Sequence, residues 1–321
     1  MNRPVSVSSD RIEKLLVRCA GAYSQNTLRG YRNDLLQFQK WCAANENEWF
    51  PAEPATIAAY VDDEVETKAI ATIKHRLDAL RFAHVMADLP CPTDHSEVRL
   101  AVRRARRKKS VRQKQALGLT SDILGKMLDA CPDTLLGRRD AALLCVGYDT
   151  LCRSSELALL TVEHVSSCRS SVLVPRSKSD PHGEGRIAYL SKETTAHLEH
   201  WLAQAKIEEG PLFCGLHTGK ISERALTTPS IRRIVKRAGV RAGLNDVEVK
   251  SLSGHSMRIG AAQDMMVVGI DTLGIMQAGG WKSKNVLARY VENAASSRLH
   301  QRRWQRLLEM SKSRLPMPHS C

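Results

Sequence analysis

A long basic run near the middle of the chain is the feature that most restricts how the chain can fold. Residues 103–114 contain no acid and carry eight cationic residues, namely Arg103, Arg104, Arg106, Arg107, Lys108, Lys109, Arg112 and Lys114. Such a run repels itself when it is free. It predicts two domains, over residues 1–102 and 118–321, joined by a basic linker over residues 103–117. The run is either a solvated connection or localisation signal, or a tether that lies along a phosphate backbone.

The net charge points to a polyanionic partner. The 321 residues carry a formal charge of +14, which is well beyond what solubility requires. Nucleic acid is the first candidate, and an anionic membrane is the alternative. No apolar run approaches the ~20 residues of a spanning helix, and residues 1–11 lack the apolar core of a signal peptide. We therefore expect a cytoplasmic protein with no membrane partner.

The first segment is predicted to be a small helical bundle. Apolar residues recur at three- and four-residue steps over residues 28–41, after Thr27 as an expected N-cap. Further helices are expected over residues 55–66 and 71–87. Basic residues among these helices are either solvated surface charges or DNA contacts, and the candidates are Arg29, Arg32, Lys74, Arg76 and Arg81.

The second segment is predicted to be mainly helical, with one small antiparallel sheet. Helices are expected over residues 121–130, 138–148, 192–206 and 229–242. Three short runs rich in β-branched residues, at 162–165, 171–175 and 186–190, predict a three-stranded sheet. The helix over 229–242 is the best candidate for insertion into a major groove, because its charged residues are all basic and include Arg232, Arg233, Lys236 and Arg237.

Residues suited to phosphate chemistry are concentrated near the C-terminus. His255 and Arg258 are spaced to share one face at the start of a helix, and Trp281 and Tyr290 follow. Each motif alone has an ordinary structural explanation, since a tyrosine on an amphipathic helix usually belongs to the core. Upstream, the simplest interpretation of Arg153 and Glu156 is an ion pair between residues three apart on one helix. The simplest interpretation of Lys178 is a solvated lysine on a loop.

The order of these residues resembles the tyrosine recombinases, the phage integrase family. That family uses an arginine, a hairpin lysine, His-x-x-Arg, tryptophan or histidine, and tyrosine, which here are Arg153, Lys178, His255, Arg258, Trp281 and Tyr290. The resemblance extends over nearly the whole chain and is most specific over residues 253–281. It implies a helical core-binding domain and a catalytic domain that close on DNA as a C-shaped clamp.

The resemblance also implies a role for each residue. Tyr290 would attack the phosphodiester and form a 3′-phosphotyrosine, with His255 as its base and Lys178 as the general acid for the departing oxygen. Two arginines, Arg153 and Arg258, would meet the charge that accumulates on the phosphate. Trp281 would donate its indole N–H. The remaining residue, Glu156, would orient Arg153 or His255.

This chemistry implies neither a metal ion nor another cofactor. The nine cysteines have no paired spacing, which favours reduced thiols over disulfides or a zinc site. The phosphotyrosyl bond retains the energy of the broken phosphodiester, so religation needs no ATP. The sequence shows no acidic cluster suited to a two-magnesium nuclease.

The expected partner is double-stranded DNA with an inverted-repeat target site. By resemblance, four protomers hold two paired sites and pass through a Holliday junction, while the free protein is a monomer or weak oligomer. A C-terminal helix over residues 299–310 would dock either in a neighbouring protomer or on its own subunit. Two rival functions are a type IB topoisomerase-like enzyme and a catalytically silent DNA-binding protein.

Overall fold

The computed structural model describes residues 5–109, 115–175, 185–217, 220–294 and 304–305. The chain divides into two compact units, Met1–Lys114 and Gln115–Cys321. Lys178 lies outside the described residues, as does nearly all of the segment 299–310 predicted to form a C-terminal helix. Among the helices that are described, none has both the length and the apolar character needed to cross a bilayer.

The described residues of the first unit form a bundle of five α-helices. They are α1 (Val5–Arg18), α2 (Gln25–Ala44), α3 (Pro54–Thr67), α4 (Ile70–Met86) and α5 (Ser96–Lys108), with a short 3-10 turn at Pro92–Asp94 before α5. Helix α2 begins one turn earlier than predicted, because the hydroxyl of Ser24 accepts the backbone N–H of Thr27 at 3.2 Å and caps it. Leu35 and Phe38 on α2 and Leu80 on α4 lie in the core of this bundle.

The basic run differs from the predicted linker at its start. Residues 103–108 form the last turns of α5, which packs against α3 through the buried side chains of Val98, Ala101 and Ala105. Acids on α3 meet two of the cations: Arg104 pairs with Asp62, and Lys108 with Glu66. Packing and charge pairing together extend the helix into a segment whose composition alone predicts a solvated connection.

The second unit contains nine α-helices and four strands in its described residues. The helices are α6 (Ser121–Asp129), α7 (Leu135–Asp149), α8 (Ser154–Leu157), α9 (Lys192–Ala205), α10 (Thr228–Arg241), α11 (Asp246–Ser251), α12 (Ser256–Val268), α13 (Thr272–Gly279) and α14 (Lys284–Val291). The strands are β1 (Ser171–Val174), β2 (Arg186–Tyr189), β3 (Cys214–His217) and β4 (Lys220–Ala225). The unit is therefore mainly helical, as predicted.

The predicted three-stranded sheet is wrong in its strand count. Strands β1 and β2 pair antiparallel, with Leu173 opposite Ile187, and β3 and β4 form a second two-stranded sheet. The expected first strand is instead a 3-10 turn at Val162–His164, and among the described residues a single bridge from Val165 to Val172 joins this run to β1. A run of four residues is too short for β-branched composition to separate a strand from a turn.

The core of the second unit lies around α7 and α9. Helix α7 is buried along Ala141–Val146, and Trp201 on α9 is fully buried with its indole N–H donated to the carbonyl of Leu212 at 2.9 Å. A smaller apolar cluster joins Leu151, just after α7, to α12, α13 and α14. Its buried members are Leu151, Ala261, Ala262, Ile275, Trp281 and Leu287. This second cluster holds the elements that carry the candidate site.

Candidate active site

Arg258 lies at the centre of the candidate site, against two aromatic rings. It is on the first turn of α12 and has no solvent-exposed surface. Its Cζ lies 3.9 Å from the centroid of the Trp281 ring and 5.6 Å from that of the Tyr290 ring. The two rings meet edge to face, with centroids 5.0 Å apart. The fold thus brings together three of the residues that the sequence spreads over 33 positions (258 to 290).

The guanidinium of Arg258 has donors that the protein leaves unsatisfied. Its Nη1 donates to the carbonyl of Leu151, but Nε and Nη2 are buried and have no acceptor among the described residues. The indole Nε1 of Trp281 is buried and unpartnered in the same sense. Leaving buried donors unpaired costs ~1–3 kcal/mol each, and more for a charged group. Such a set is suited to an anion that arrives from outside.

The charged form of Arg258 is destabilised by its surroundings. Burial, followed by the nearby charge of Arg153, lowers the pKa of Arg258 to about 10. The side chain therefore remains a cation at neutral pH. No carboxylate among the described residues forms an ion pair with it. A bound phosphate would relieve both the desolvation and the repulsion between the two arginines.

Glu156 lies against Arg153 at the start of α8. Its carboxylate accepts the backbone N–H of Arg153 at 2.9 Å and forms an ion pair with the guanidinium. Glu156 is buried, whereas Arg153 keeps about a fifth of its side chain exposed, at 22%. The carboxylate therefore contacts both the backbone and the side chain of Arg153.

His255 lies at an open pocket lined largely by polar and basic residues. The pocket, of about 940 Å³, is bordered by Ser154 and Gly254 on one side and by Arg232, Arg233 and Lys236 of α10 on the other. The imidazole is exposed there, but the protein packed around the rest of it, followed by the charges of Arg258 and Arg153, lowers the pKa of His255. A neutral imidazole at pH 7 can accept a proton.

Two glycines allow the backbone to pass close to site residues. A Cβ added to Gly254 would lie 2.0 Å from the hydroxyl oxygen of Ser154, and one added to Gly279 would lie 2.0 Å from the ring of Trp281. Both distances are far below contact. A side chain at 254 would force the Ser154 hydroxyl to turn away and would still lie 3.1 Å from the Ser154 Cβ, which is tighter than ordinary contact.

Arg186 is a site residue that the sequence analysis missed. It begins β2, and its guanidinium donates to the carbonyls of Thr150 and Ala278, the latter at 2.9 Å. It thereby joins β2, the first strand after Lys178 in the chain, to the end of α7 and to α13, three residues before Trp281. Its partners are backbone carbonyls distant in sequence, so no residue pattern indicates them.

Several predicted DNA contacts are engaged within the protein. The side chain of Arg76 is only 11% exposed and is held by Glu64, Asp34 and the hydroxyl of Tyr60. Four further candidates pair with acids on neighbouring helices: Arg32 with Glu13, Arg81 with Asp94, Arg104 with Asp62, and Arg237 with the buried Asp140.

The remaining candidates differ in their exposure. Lys236 donates to the carbonyls of Val249 and Lys250, at the end of α11, at 3.0 and 2.9 Å. The predicted residues that are exposed and form no such ion pair within the described part of the chain are Arg29, Lys74, Arg103, Arg106, Arg107, Arg232 and Arg233.

No metal site is formed by the described part of the chain. Its histidines, cysteines and acids nowhere gather in a group of three that could hold an ion. The cysteines described are unpaired thiols, and Cys152, next to Arg153, is fully buried. The donors of the candidate site are arginine, tryptophan, histidine and tyrosine side chains, a set that suits an anion rather than a cation.

Comparison with known proteins agrees with this geometry. Residues 118–297 match the Phage integrase family, and residues 14–87 match the family's N-terminal SAM-like domain. The chain is 30% identical over 323 residues to Recombinase cre of Escherichia phage P1, covering 91% of this chain and 92% of that protein. It is 29% identical over 282 residues to an integrase/recombinase xerD homolog of Selenomonas ruminantium, covering 84% and 82%.

Solved structures show the same fold. XerH site-specific recombinase bound to a palindromic difH substrate matches with a TM-score of 0.66 and 19% identity, covering 94% of this chain and 84% of that one. The Tn1549 transposon integrase in complex with circular intermediate DNA matches with a TM-score of 0.64 and 14% identity, covering 91% and 98%. The resemblance that the sequence motifs indicated is therefore confirmed, and the chain belongs to the phage integrase family, the tyrosine site-specific DNA recombinases.

Proposed function

We propose that this protein cleaves and rejoins DNA at specific sites through a covalent bond to Tyr290. The observation that carries the proposal is the buried guanidinium of Arg258, whose Nε and Nη2 have no acceptor among the described residues and which lies against the rings of Trp281 and Tyr290. A cation with free donors beside a tyrosine is a site for an anionic substrate that the tyrosine can attack. Because the chain belongs to the phage integrase family, we infer that this anionic substrate is a phosphodiester of DNA.

In the proposed cleavage step, the hydroxyl oxygen of Tyr290 bonds to phosphorus and the bond to the 5′ oxygen breaks. The proton of the tyrosine passes to His255, whose lowered pKa leaves it neutral and able to accept. Lys178 supplies a proton to the departing 5′ oxygen. The products are a 3′-phosphotyrosine and a free 5′ hydroxyl, and attack by another 5′ hydroxyl reverses the step without ATP.

Stabilisation of the transition state is proposed to come from three donors. Arg153 and Arg258 present guanidinium groups to the non-bridging oxygens, and Trp281 adds its indole N–H. Glu156 keeps Arg153 in place through the two contacts described above. The scheme needs no metal ion or cofactor, since arginines provide the charge.

DNA is proposed to bind along the basic residues that remain exposed in each unit. These are Arg29, Lys74, Arg103, Arg106 and Arg107 in the first unit, and Arg232 and Arg233 at the pocket of His255 in the second. We propose a DNA-binding domain and a catalytic domain (residues 118–321), with the exposed basic residues at the end of α5 on the phosphate backbone. Solved relatives of the same fold are complexes with DNA substrates, which supports this partner.

The proposed working assembly is four copies on two paired inverted-repeat sites, which exchange strands through a Holliday junction. The protein is proposed to act in the cytoplasm, where its relatives' phage and bacterial hosts keep their DNA. This assembly distinguishes recombination from the chemistry of a type IB topoisomerase, which shares the nucleophile but relaxes supercoils on one duplex.

A joining assay tests the proposal. Duplexes bound by the protein are first selected from a random library, and two differently labelled copies of the selected site are then incubated with it. We expect products that carry both labels. Relaxation of a supercoiled plasmid without joined products would indicate the topoisomerase function, and binding without any cleavage would indicate a silent DNA-binding protein.

A further inference from the structure

The helix that carries Tyr290 is short and has no glycine at its end. Helix α14 is eight residues long, and the backbone at Glu292, just after it, remains in the right-handed helical region at φ −54°. The last four carbonyls of any α-helix lack partners within the helix, and a left-handed glycine often satisfies them. The carbonyls of Arg289 and Tyr290 are among those four, so donors must come from elsewhere.

Gln115 supplies those donors. Its side-chain Nε2 donates to the carbonyl of Arg289 and to that of Tyr290, the second at 3.2 Å. A primary amide has two N–H groups, so one side chain can satisfy both acceptors. Its carbonyl oxygen accepts from Nδ2 of Asn293 at 2.8 Å, which fixes which way the amide faces.

The segment that carries Gln115 is anchored to the other side of the site. Leu117 donates its backbone N–H to the carbonyl of Ser251 at 3.0 Å, and Leu119 donates to that of Ser256 at 2.8 Å. These two acceptors flank His255 in sequence. A Cβ on Gly260 of α12 would lie 1.8 Å from the carbonyl oxygen of Leu119, so the segment crosses the helix of Arg258 in close contact.

A second glutamine reaches the same carbonyl from α12. Gln263 is buried, and its Nε2 donates to the carbonyl of Tyr290 at 3.4 Å, a long contact beside that of Gln115. Gly118 leaves room for it, because an added Cβ there would lie 2.2 Å from Oε1 of Gln263. The end of α14 is thus held by amides from two separate elements, with Gln115 making the shorter contacts.

We propose that Gln115 is a positioning residue for the nucleophile, which sets the place of the Tyr290 helix relative to Arg258. This inference rests on the proposed function, in which Tyr290 attacks the phosphate. Attack on phosphorus needs the tyrosine oxygen in line with the departing oxygen, and a misplacement of ~1 Å can cost ~10²-fold in rate. Loss of the Gln115 donors leaves the last turn of α14, which bears Tyr290, with the long contact from Gln263 in place of the shorter ones.

Gln115→Glu is the direct test, because it keeps the length of the side chain and replaces the donor by an oxygen that repels both carbonyls. Gln204→Glu, at an exposed position of α9, is the matched control for the same change of charge. Gln115→Met, which removes the donors without adding charge, serves if Gln115→Glu does not fold. Each variant is assayed for single-turnover adduct formation on a nicked duplex that carries the selected site, and for affinity by titration.

A second substrate separates positioning of the nucleophile from an effect on the leaving group. A sulfur atom in place of the bridging 5′ oxygen leaves as a thiolate and needs no proton from Lys178. We expect Gln115→Glu to form adduct at least tenfold more slowly than wild type on both substrates, with affinity changed less than about twofold. Lys178→Ala, in contrast, should regain most of its rate on the sulfur substrate.

Each other outcome has a separate meaning. A wild-type rate for Gln115→Glu or Gln115→Met would overturn the inference, and so would a slow rate that the sulfur substrate restores. A loss equal to that of Gln204→Glu would show only an effect of charge and would also overturn it. Failure of the wild-type protein to form any adduct would contradict the proposed function instead.

Discussion

Arg258 stacks on Trp281, with the guanidinium carbon 3.9 Å from the ring centroid, and both side chains keep buried donors that no described residue satisfies. The indole ring stabilises the cation by a cation–π contact, worth about 2 kcal/mol or more when desolvated. The pair therefore keeps a charged donor set in place before any substrate binds. Substrate binding then provides the acceptors that folding leaves out.

Trp281→Phe separates the two contributions of the indole. Phenylalanine keeps a ring under Arg258 but lacks the Nε1 donor, which has no acceptor in the described part of the protein. We expect the free energy of unfolding to fall by about 1–3 kcal/mol, because the smaller ring leaves part of the space of the buried indole empty even though no hydrogen bond is lost. Cleavage should fall by about 10²-fold or more, as for other donors to a transition-state oxyanion. Urea unfolding and single-turnover cleavage measure the two effects, and a large loss of stability with unchanged cleavage would contradict this assignment.

The pH dependence of cleavage should reflect the lowered pKa of His255. Burial and the charges of Arg258 and Arg153 favour the neutral imidazole, so it protonates only below its ordinary value near 6.5. If neutral His255 is the base, kcat/KM, which reports the free enzyme, should fall with decreasing pH with a midpoint below about 6.5. His255→Gln should lose this acidic limb. A midpoint at or above 6.5 in the wild-type protein would be inconsistent with the assignment.

Arg186→Met should slow cleavage although Arg186 contacts none of the reacting groups. The change removes the donors that join β2 to the carbonyls of Thr150 and Ala278 and leaves both carbonyls without them. We expect a loss of ~1–3 kcal/mol in the free energy of unfolding and at least a tenfold lower cleavage rate. Arg224→Met, at an exposed position of β4, is the control for loss of one positive charge. Equal behaviour of the two variants would show that Arg186 has no particular role.

The helices were the part of the fold most open to prediction from sequence. Periodic apolar residues indicated α2, α7 and α10 to within a few residues, because one buried face leaves a repeat in the sequence. The second sheet was missed because Cys214–His217 and Lys220–Ala225 contain few β-branched residues. Helix α5 was missed since the strongly basic composition of its end concealed the apolar positions Val98, Ala101 and Ala105.

The candidate site was also predicted only in part. The order of motifs predicted that Arg258, Trp281 and Tyr290 belong to one site, and their side chains lie together in the structure. Such a pattern is informative because residues that act on one substrate must be close in the fold. Contacts to backbone carbonyls were not foreseeable, and Arg186 and Gln115 both act through such contacts over long sequence distances. The ion pairs of the first unit were also not predictable. Arg76 pairs with Glu64 and Asp34, and no spacing in the sequence indicates these partners.

The central claim is that Tyr290 attacks the phosphate beside Arg258, and covalent adduct formation tests it most directly. The wild-type protein and Tyr290→Phe are incubated with a nicked duplex that carries the selected site, and the products are separated on a denaturing gel. Phenylalanine keeps the ring that packs against Trp281 and removes only the hydroxyl. We predict a protein–DNA adduct for the wild type and none for Tyr290→Phe, with DNA binding retained by both. An adduct that survives in Tyr290→Phe would show that another residue is the nucleophile.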